Sequence, residues 1–427
     1  MSISSHHPET PAADASKLLI RLGLAILMVA LPCAGVVMRG AIYVLMPVGA
    51  ILILIGAAVG APDHGPRHLG TALISPAGAA ALFLAFWSGL SLVWTPFQAE
   101  ATQRFIQIVA TTFFVALVAA YLPARTRAFD LYLLPVGVAL SAVATLFLAL
   151  RGPDWFLGAS EFDDSLFGRS MITLIVLVWP ALGALSLCER WIAAAALAML
   201  AAGVALAGFA RFGLAAMGIA AFVFALAMSH PGRMARVLGW ALACLIFFAP
   251  ALPLIYRLLV GLTGHPPGPA AESMLVWADL ITSEWPRLIT GHGFDAANRG
   301  LSLGYLPELT PRSILFVIWY DLGVIGAAAA AFLMASLFKL ASRLPPIAAP
   351  SVLAGLVAIL TLSIFGVAAA QIWWVTLIDC AIIAFIILIK GIYRTQRPPA
   401  PTPEELLELQ IEDLNVADLN AAPVRSG

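Results

Sequence analysis

His292 stands between two glycines in the run Leu288-Ile-Thr-Gly291-His292-Gly293-Phe294-Asp295. A turn of that composition frees backbone N–H groups, and imidazole is the side chain best suited to moving a proton near neutral pH. Asp295, three residues on, is a candidate to orient the ring, and Glu308 competes with His292 as the base. The alternative for His292 is that of a glycine-flanked loop residue without chemistry. His265, in Gly-His-Pro-Pro-Gly, has turn composition and reads as a solvated loop residue. A second group is cationic: Arg312, in Thr310-Pro311-Arg312-Ser313, and Arg211 and Arg169 each stand where an apolar run begins. Arginine grips phosphate with a planar fork, and a helix N-terminus adds favourable dipole charge for an anion. Two roles stand open for each: binding a phosphorylated ligand, or snorkelling to a membrane interface. Glu161, Asp163 and Asp164 offer a weak cation-binding pattern that reads more simply as a solvated acidic loop. The cysteines Cys33, Cys188, Cys244 and Cys380 have no metal-like or disulfide-like spacing. No metal and no cofactor is expected.

These residues must be positioned by a membrane-embedded chain. Of 427 residues, 62% are hydrophobic and 11% charged, with a mean hydropathy of +0.97. An ordinary soluble domain is about 45–50% apolar and about 25% charged. The composition excludes a soluble enzyme, a disordered chain and a disulfide-rich secreted domain. Net charge is zero, so no bulk field points to nucleic acid. The polar start lacks the basic residues and small-residue cleavage site of a signal peptide, so the first apolar run is expected to stay as a helix.

A bilayer core takes about 20 apolar residues per helix. On that length the sequence predicts an all-α polytopic fold of about twelve spans, at 18–37, 41–61, 73–94, 105–122, 130–150, 170–188, 191–209, 212–229, 236–256, 313–338, 349–368 and 372–391. The short connection at Cys188-Glu189-Arg190 predicts a tight antiparallel hairpin. The organisation is then a cytoplasmic tail (1–17), nine spans (18–256), a long periplasmic loop (257–312), three spans (313–391) and an acidic cytoplasmic tail (392–427). With both termini inside, fourteen basic residues fall inside and nine outside, in the sense of the positive-inside rule. All three lysines fall inside, and the outer nine, including Arg104, Arg257, Arg287 and Arg299, are all arginine. Such a face suits a phosphorylated ligand arriving from the membrane. After the prolines at 398–403, the segment Glu404 to Asp418 reads as a short amphipathic helix on a tether.

Within the long loop, Met274, Trp277, Leu280, Ile281 and Trp285 share one helical face, which predicts a helix lying along the membrane surface. Four places resemble the O-antigen ligase and O-antigen/exopolysaccharide polymerase superfamily of bacterial inner membranes. Trp277, Pro286 and Gly291-His292-Gly293-Phe294 resemble its tryptophan-then-GxG loop. Trp319 to Gly326, with Asp321-Leu-Gly323-Val-Ile-Gly326, is similar to its following helix. Ala210-Arg211-Phe-Gly is similar to its Ser-Arg signature, and Trp94-Thr-Pro-Phe-Gln-Ala-Glu100 to its short outer turn. The chain departs from the pattern at Thr310-Pro311-Arg312-Ser313, where relatives carry a His-Pro-His-Asn-like run. The histidine credited with catalysis in the family thus maps onto Arg312, and a loop arginine of many relatives maps near Ser273.

The resemblance implies transfer of a glycan from an undecaprenyl-pyrophosphate donor to a hydroxyl of lipid A-core (ligase) or of a carrier-linked glycan (polymerase) at the periplasmic face. Arg312 and His292 are then the expected catalytic residues, and Arg211, Arg169, Asp295 and Glu308 the expected substrate-binding ones. Partners would be the two lipid-anchored reactants and membrane lipids, with no nucleic acid. Two other readings stay open: a twelve-span secondary transporter, against which the short connection between spans six and seven and the lack of an internal repeat count, and a catalytically silent relative serving in assembly.

Overall fold

The computed structural model of the chain describes residues 11–38, 40–60, 65–122, 128–151, 164–207, 211–263, 269–366 and 372–391. The predicted helix at 404–418, His265, and the acids Glu161 and Asp163 lie outside the described residues. Among the described residues all regular structure is helical: α1 Pro11–Ala25, a π-helical turn Ile26–Ala30, α2 Leu31–Val37, α3 Ala41–Gly60, α4 Gly65–Ile74, α5 Pro76–Ser91, α6 Gln98–Tyr121, α7 Ala128–Arg151 and α8 Asp164–Leu187, followed by α9 Trp191–Ala207, α10 Arg211–Ser229, α11 Pro231–Phe247, α12 Ala251–Thr263, α13 Pro269–Ser283, α14 Arg287–Thr290, α15 Ala296–Ser302, α16 Ile314–Ala341, α17 Ala349–Ile364 and α18 Ile372–Gly391. Helices satisfy every interior backbone group within one segment, which is what a lipid solvent demands.

The protein is an all-α polytopic membrane protein. Among the described residues eight helices are long and apolar enough to cross a bilayer, and nine if α11 and α12 form one bent span. The apolar helices α5, α9 and α17 are shorter and occupy the other predicted positions. α8 lies at the centre: 94% of its apolar window is buried, and it packs against α7, α9, α17, α18 and α2. The α8–α9 connection is the predicted tight hairpin. Glu189 takes a left-handed φ of 56° there, and the Arg190 N–H donates to the Leu185 carbonyl at 2.9 Å.

Two spans are broken, and the breaks position the site. The straight ninth span expected at 236–256 is instead α11 and α12, bent by 68°. Pro250 has no N–H to give to the Ile246 carbonyl four residues back. That carbonyl instead accepts from Trp319 Nε1 at 2.8 Å, so α16 satisfies the group that the proline orphans. The second break is inside α16, where Gly323 (φ 64°, ψ −163°) leaves the helical region.

The long outer segment is itself helical. α12 and α13 are tied by Arg257, whose guanidinium meets Asp279 at 3.0 Å and Thr282 at 3.3 Å. The predicted shared face forms over Met274, Trp277, Leu280 and Ile281, but where it was expected against the membrane surface it packs on a core shared with Phe316 and Trp319 of α16. Trp285 departs from that face. α13 ends at Ser283, ahead of Pro286, and the indole is 68% exposed.

Candidate functional site at the broken helix

A helix broken at Gly323 loses the N–H donors that would serve the carbonyls before the break. Those carbonyls are taken by residues from far along the chain. The His292 N–H donates to the Tyr320 carbonyl at 2.8 Å, and the Gly293 N–H to the Asp321 carbonyl at 2.9 Å. Trp87 Nε1, on α5, donates to the Leu322 carbonyl at 3.0 Å. The glycines flanking His292 are required by this seat. Gly291 (φ 74°) and Gly293 (φ 100°) lie in the left-handed region; a Cβ on the first would collide with the Asp321 backbone and on the second with Thr95. The turn after α5 closes the other side: the Phe294 N–H donates to Ser91 Oγ at 3.0 Å, and Thr95 Oγ1 donates to the Phe294 carbonyl at 3.1 Å.

So seated, the His292 ring stacks on Tyr320, with centroids 3.9 Å apart and planes 8° from parallel. Its Nδ1 lies 3.1 Å from the Tyr320 carbonyl, and its Nε2 2.5 Å from Glu284 Oε2. A carbonyl only accepts, so Nδ1 carries a proton. Nε2 faces the carboxylate, so the two side chains form one hydrogen-bonded unit. Glu284 is the first residue beyond the end of α13, its N–H still donating to the Leu280 carbonyl at 3.1 Å. Glu284 is the more open member of the pair, with 44% of its side chain exposed against 21% for His292. Exposed Arg287 lines the same small hollow, together with Trp277, Trp319 and Tyr320. A carboxylate backed by imidazole and flanked by a guanidinium can accept a proton from a hydroxyl while a neighbouring cation holds an anion.

Asp295 does not orient His292. It lies in the left-handed region at φ 63°, which turns its side chain into the protein, where it is 1% exposed. Its carboxylate meets Arg104 of α6 at 2.9 Å and Arg299 at 3.5 Å, and accepts from Asn298 Nδ2 at 3.0 Å. Buried Asp321 lies behind it, accepting from the N–H groups of Asp295 at 3.0 Å and Ala297 at 2.7 Å, and so caps α15. This network holds the loop in its seat, because a buried carboxylate is tolerated only when charge and hydrogen bonds compensate its lost hydration.

The three expected phosphate-binding arginines gather elsewhere at the same end of the bundle. Arg312 is exposed, and its backbone and Cβ lie against Gly366. Arg211 is exposed at the start of α10, where its neighbour Phe212 stacks on Phe365 with centroids 5.1 Å apart. The Arg169 guanidinium sits 5.4 Å from the Trp373 ring centroid. Gly366, Phe365 and Trp373 are thus the described neighbours of Arg312, of Phe212 beside Arg211, and of Arg169. Glu308 is exposed on the segment between α15 and α16 and makes no contact with His292. At a rise of about 1.5 Å per residue, Ile314 at the start of α16 stands about 9 Å along its axis from Tyr320, and Arg312 lies beyond it. Glu284, Arg287, Arg104 and Asp321 were not picked out as site residues from sequence. The signal for Glu284 was its place just before Trp285-Pro286, which ends the helix and leaves its last side chains free to face the next turn. No group of three or more His, Cys, Asp or Glu side chains able to hold a metal occurs among the described residues. No family model, curated protein or solved structure matches the chain.

Proposed function

We propose that the chain is a glycan transferase of the O-antigen ligase or polymerase type, acting at the periplasmic face of a bacterial inner membrane. Its donor would be an undecaprenyl-pyrophosphate-linked glycan and its acceptor a hydroxyl of lipid A-core or of another carrier-linked glycan. The observation that carries this reading is the Glu284–His292 pair beside Arg287, at the end of the bundle that also presents Arg312, Arg211 and Arg169. In the proposed step the acceptor oxygen bonds to the anomeric carbon as the bond from that carbon to the pyrophosphate oxygen breaks. The hydroxyl proton passes to Glu284, whose charge is balanced by His292, and the departing pyrophosphate takes the electron pair and is held by arginines. Glu284 thereby replaces the base expected at His292, and His292 becomes a positioning residue.

Surface polysaccharide in strains carrying Glu284→Gln, His292→Ala, Arg312→Ala or Arg211→Ala at normal expression tests the site. Loss of lipid A-linked or polymerised glycan is expected. Full retention in all four overturns it. In a deletion strain, free core with accumulated carrier-linked polymer identifies a ligase, and single-repeat caps a polymerase. The two broken helices favour a second reading, since transporters bind solutes at such breaks. Here, though, the freed carbonyls of Ile246, Tyr320, Asp321 and Leu322 are already occupied by protein donors. Counterflow of a labelled solute in proteoliposomes would reinstate the transporter.

A further inference from the structure

A groove of about 850 Å³ runs between the start of α5 and the facing sides of α11 and α16. Its lining carries three cations, Arg236, Lys339 and Arg343, and no acid. All three are exposed, and none pairs with an acidic side chain among the described residues. Arg236 gives its Nε–H to the Gly232 carbonyl at 3.2 Å, which ties the guanidinium to the first turn of α11 beside the groove. The N-terminus of the sixteen-residue α5, at Ser75 and Pro76, opens at the same mouth and adds positive dipole charge. Beyond the cations the walls are apolar and partly aromatic, ending at Phe247 and Phe248.

The dimensions identify the occupant. Tyr320 to Lys339 is nineteen residues of α16, about 28 Å, close to the roughly 30 Å of a bilayer core. The cations therefore lie at the interface opposite the His292 site. Arg236 to Phe247 is eleven residues of α11, about 16 Å, or about one leaflet. A slot one leaflet deep, apolar along its length and triply cationic at its mouth, complements one molecule: a bilayer phospholipid with a net negative headgroup. We propose that this groove binds an anionic phospholipid of the leaflet opposite the Glu284–His292 site, with its phosphate on Arg236, Lys339 and Arg343 and an acyl chain along α11. A generally basic interface would concentrate anionic lipid without holding one in place.

The test is native mass spectrometry of the purified full chain, titrated with phosphatidylglycerol or with phosphatidylcholine of the same chains. One equivalent of phosphatidylglycerol should be retained at about tenfold lower lipid concentration than phosphatidylcholine. The triple variant Arg236→Gln/Lys339→Gln/Arg343→Gln should lose that difference while keeping its melting temperature in phosphatidylcholine. Cys244→Trp, which narrows the apolar slot and leaves the cations in place, should weaken retention as well. Arg190→Gln/Arg233→Gln removes two exposed cations outside the groove and should change nothing. Equal retention of the two lipids, unchanged preference in the triple variant, or an equal loss in the Arg190/Arg233 variant would each overturn the proposal.

Discussion

At the scale of single residues, the chemistry turns on which atoms face Glu284. His292 has both ring nitrogens engaged by protein groups, the Tyr320 carbonyl and Glu284, so it is placed to support the carboxylate and not to meet a substrate hydroxyl. Glu284→Gln keeps the shape of the pair and removes the proton acceptor. It should lower glycan transfer in reconstituted membranes by about 10²–10⁴-fold, the usual contribution of a general base. His292→Ala should lower it as well, and the double variant should fall no further than Glu284→Gln, because the two act as one unit. Strictly multiplicative losses would assign them separate roles. His292 was legible in the sequence because glycines mark a backbone that must turn tightly. Its true partner was not, because Glu284 approaches across a helix end that only tertiary packing sets. Asp295 misled for a related reason: a spacing of three suggests contact on one face, and the left-handed turn at Asp295 itself sends the carboxylate inward to Arg104. Arg104→Leu should therefore leave the buried carboxylate with only Asn298 and the longer Arg299 contact and cost up to about 3–5 kcal/mol, read as a lower melting temperature in detergent. Arg104→Lys should recover part of it.

At the scale of elements, two broken helices lock one another and a loop into place. The periodicity of α13 was plain in the sequence, and the residues predicted to share a face do so apart from Trp285, although that face packs on α16 and not on the membrane surface. Pro250 inside an apolar run signalled the bend after α11, although a length-based reading carried the span straight through it. The break at Gly323 had no such signal. A glycine in an apolar helix is tolerated, and only the donors brought by His292, Gly293 and Trp87 make the open form the stable one. Trp319→Phe preserves the ring and deletes the donor to the Ile246 carbonyl. It should cost about 1–3 kcal/mol in thermal unfolding, the penalty of a buried acceptor left unpaired. A shift indistinguishable from zero would mean that another donor reaches that carbonyl.

At the scale of the whole molecule, composition made the membrane class legible, while the number of crossings depended on lengths that sequence blurs. α5, α9 and α17 are apolar but only 16, 17 and 16 residues long. The proposed function places the His292 end of the bundle outside, and that orientation is open to direct labelling. Glu308→Cys should react with a membrane-impermeant maleimide in intact spheroplasts, and Pro346→Cys only after permeabilisation. The reverse pattern would invert the molecule and remove the periplasmic assignment.

The hydrogen bond from Trp87 to the Leu322 carbonyl joins residues 235 apart in the chain. During synthesis the N-terminal third is thus made long before the acceptor it needs exists. The indole must wait, wetted at the membrane surface or covered by lipid or an insertion factor, until α16 arrives. Truncated chains ending before Gly323 should accordingly be degraded faster in cells than chains ending after Ala341, because the seam around the loop cannot close until α16 is made.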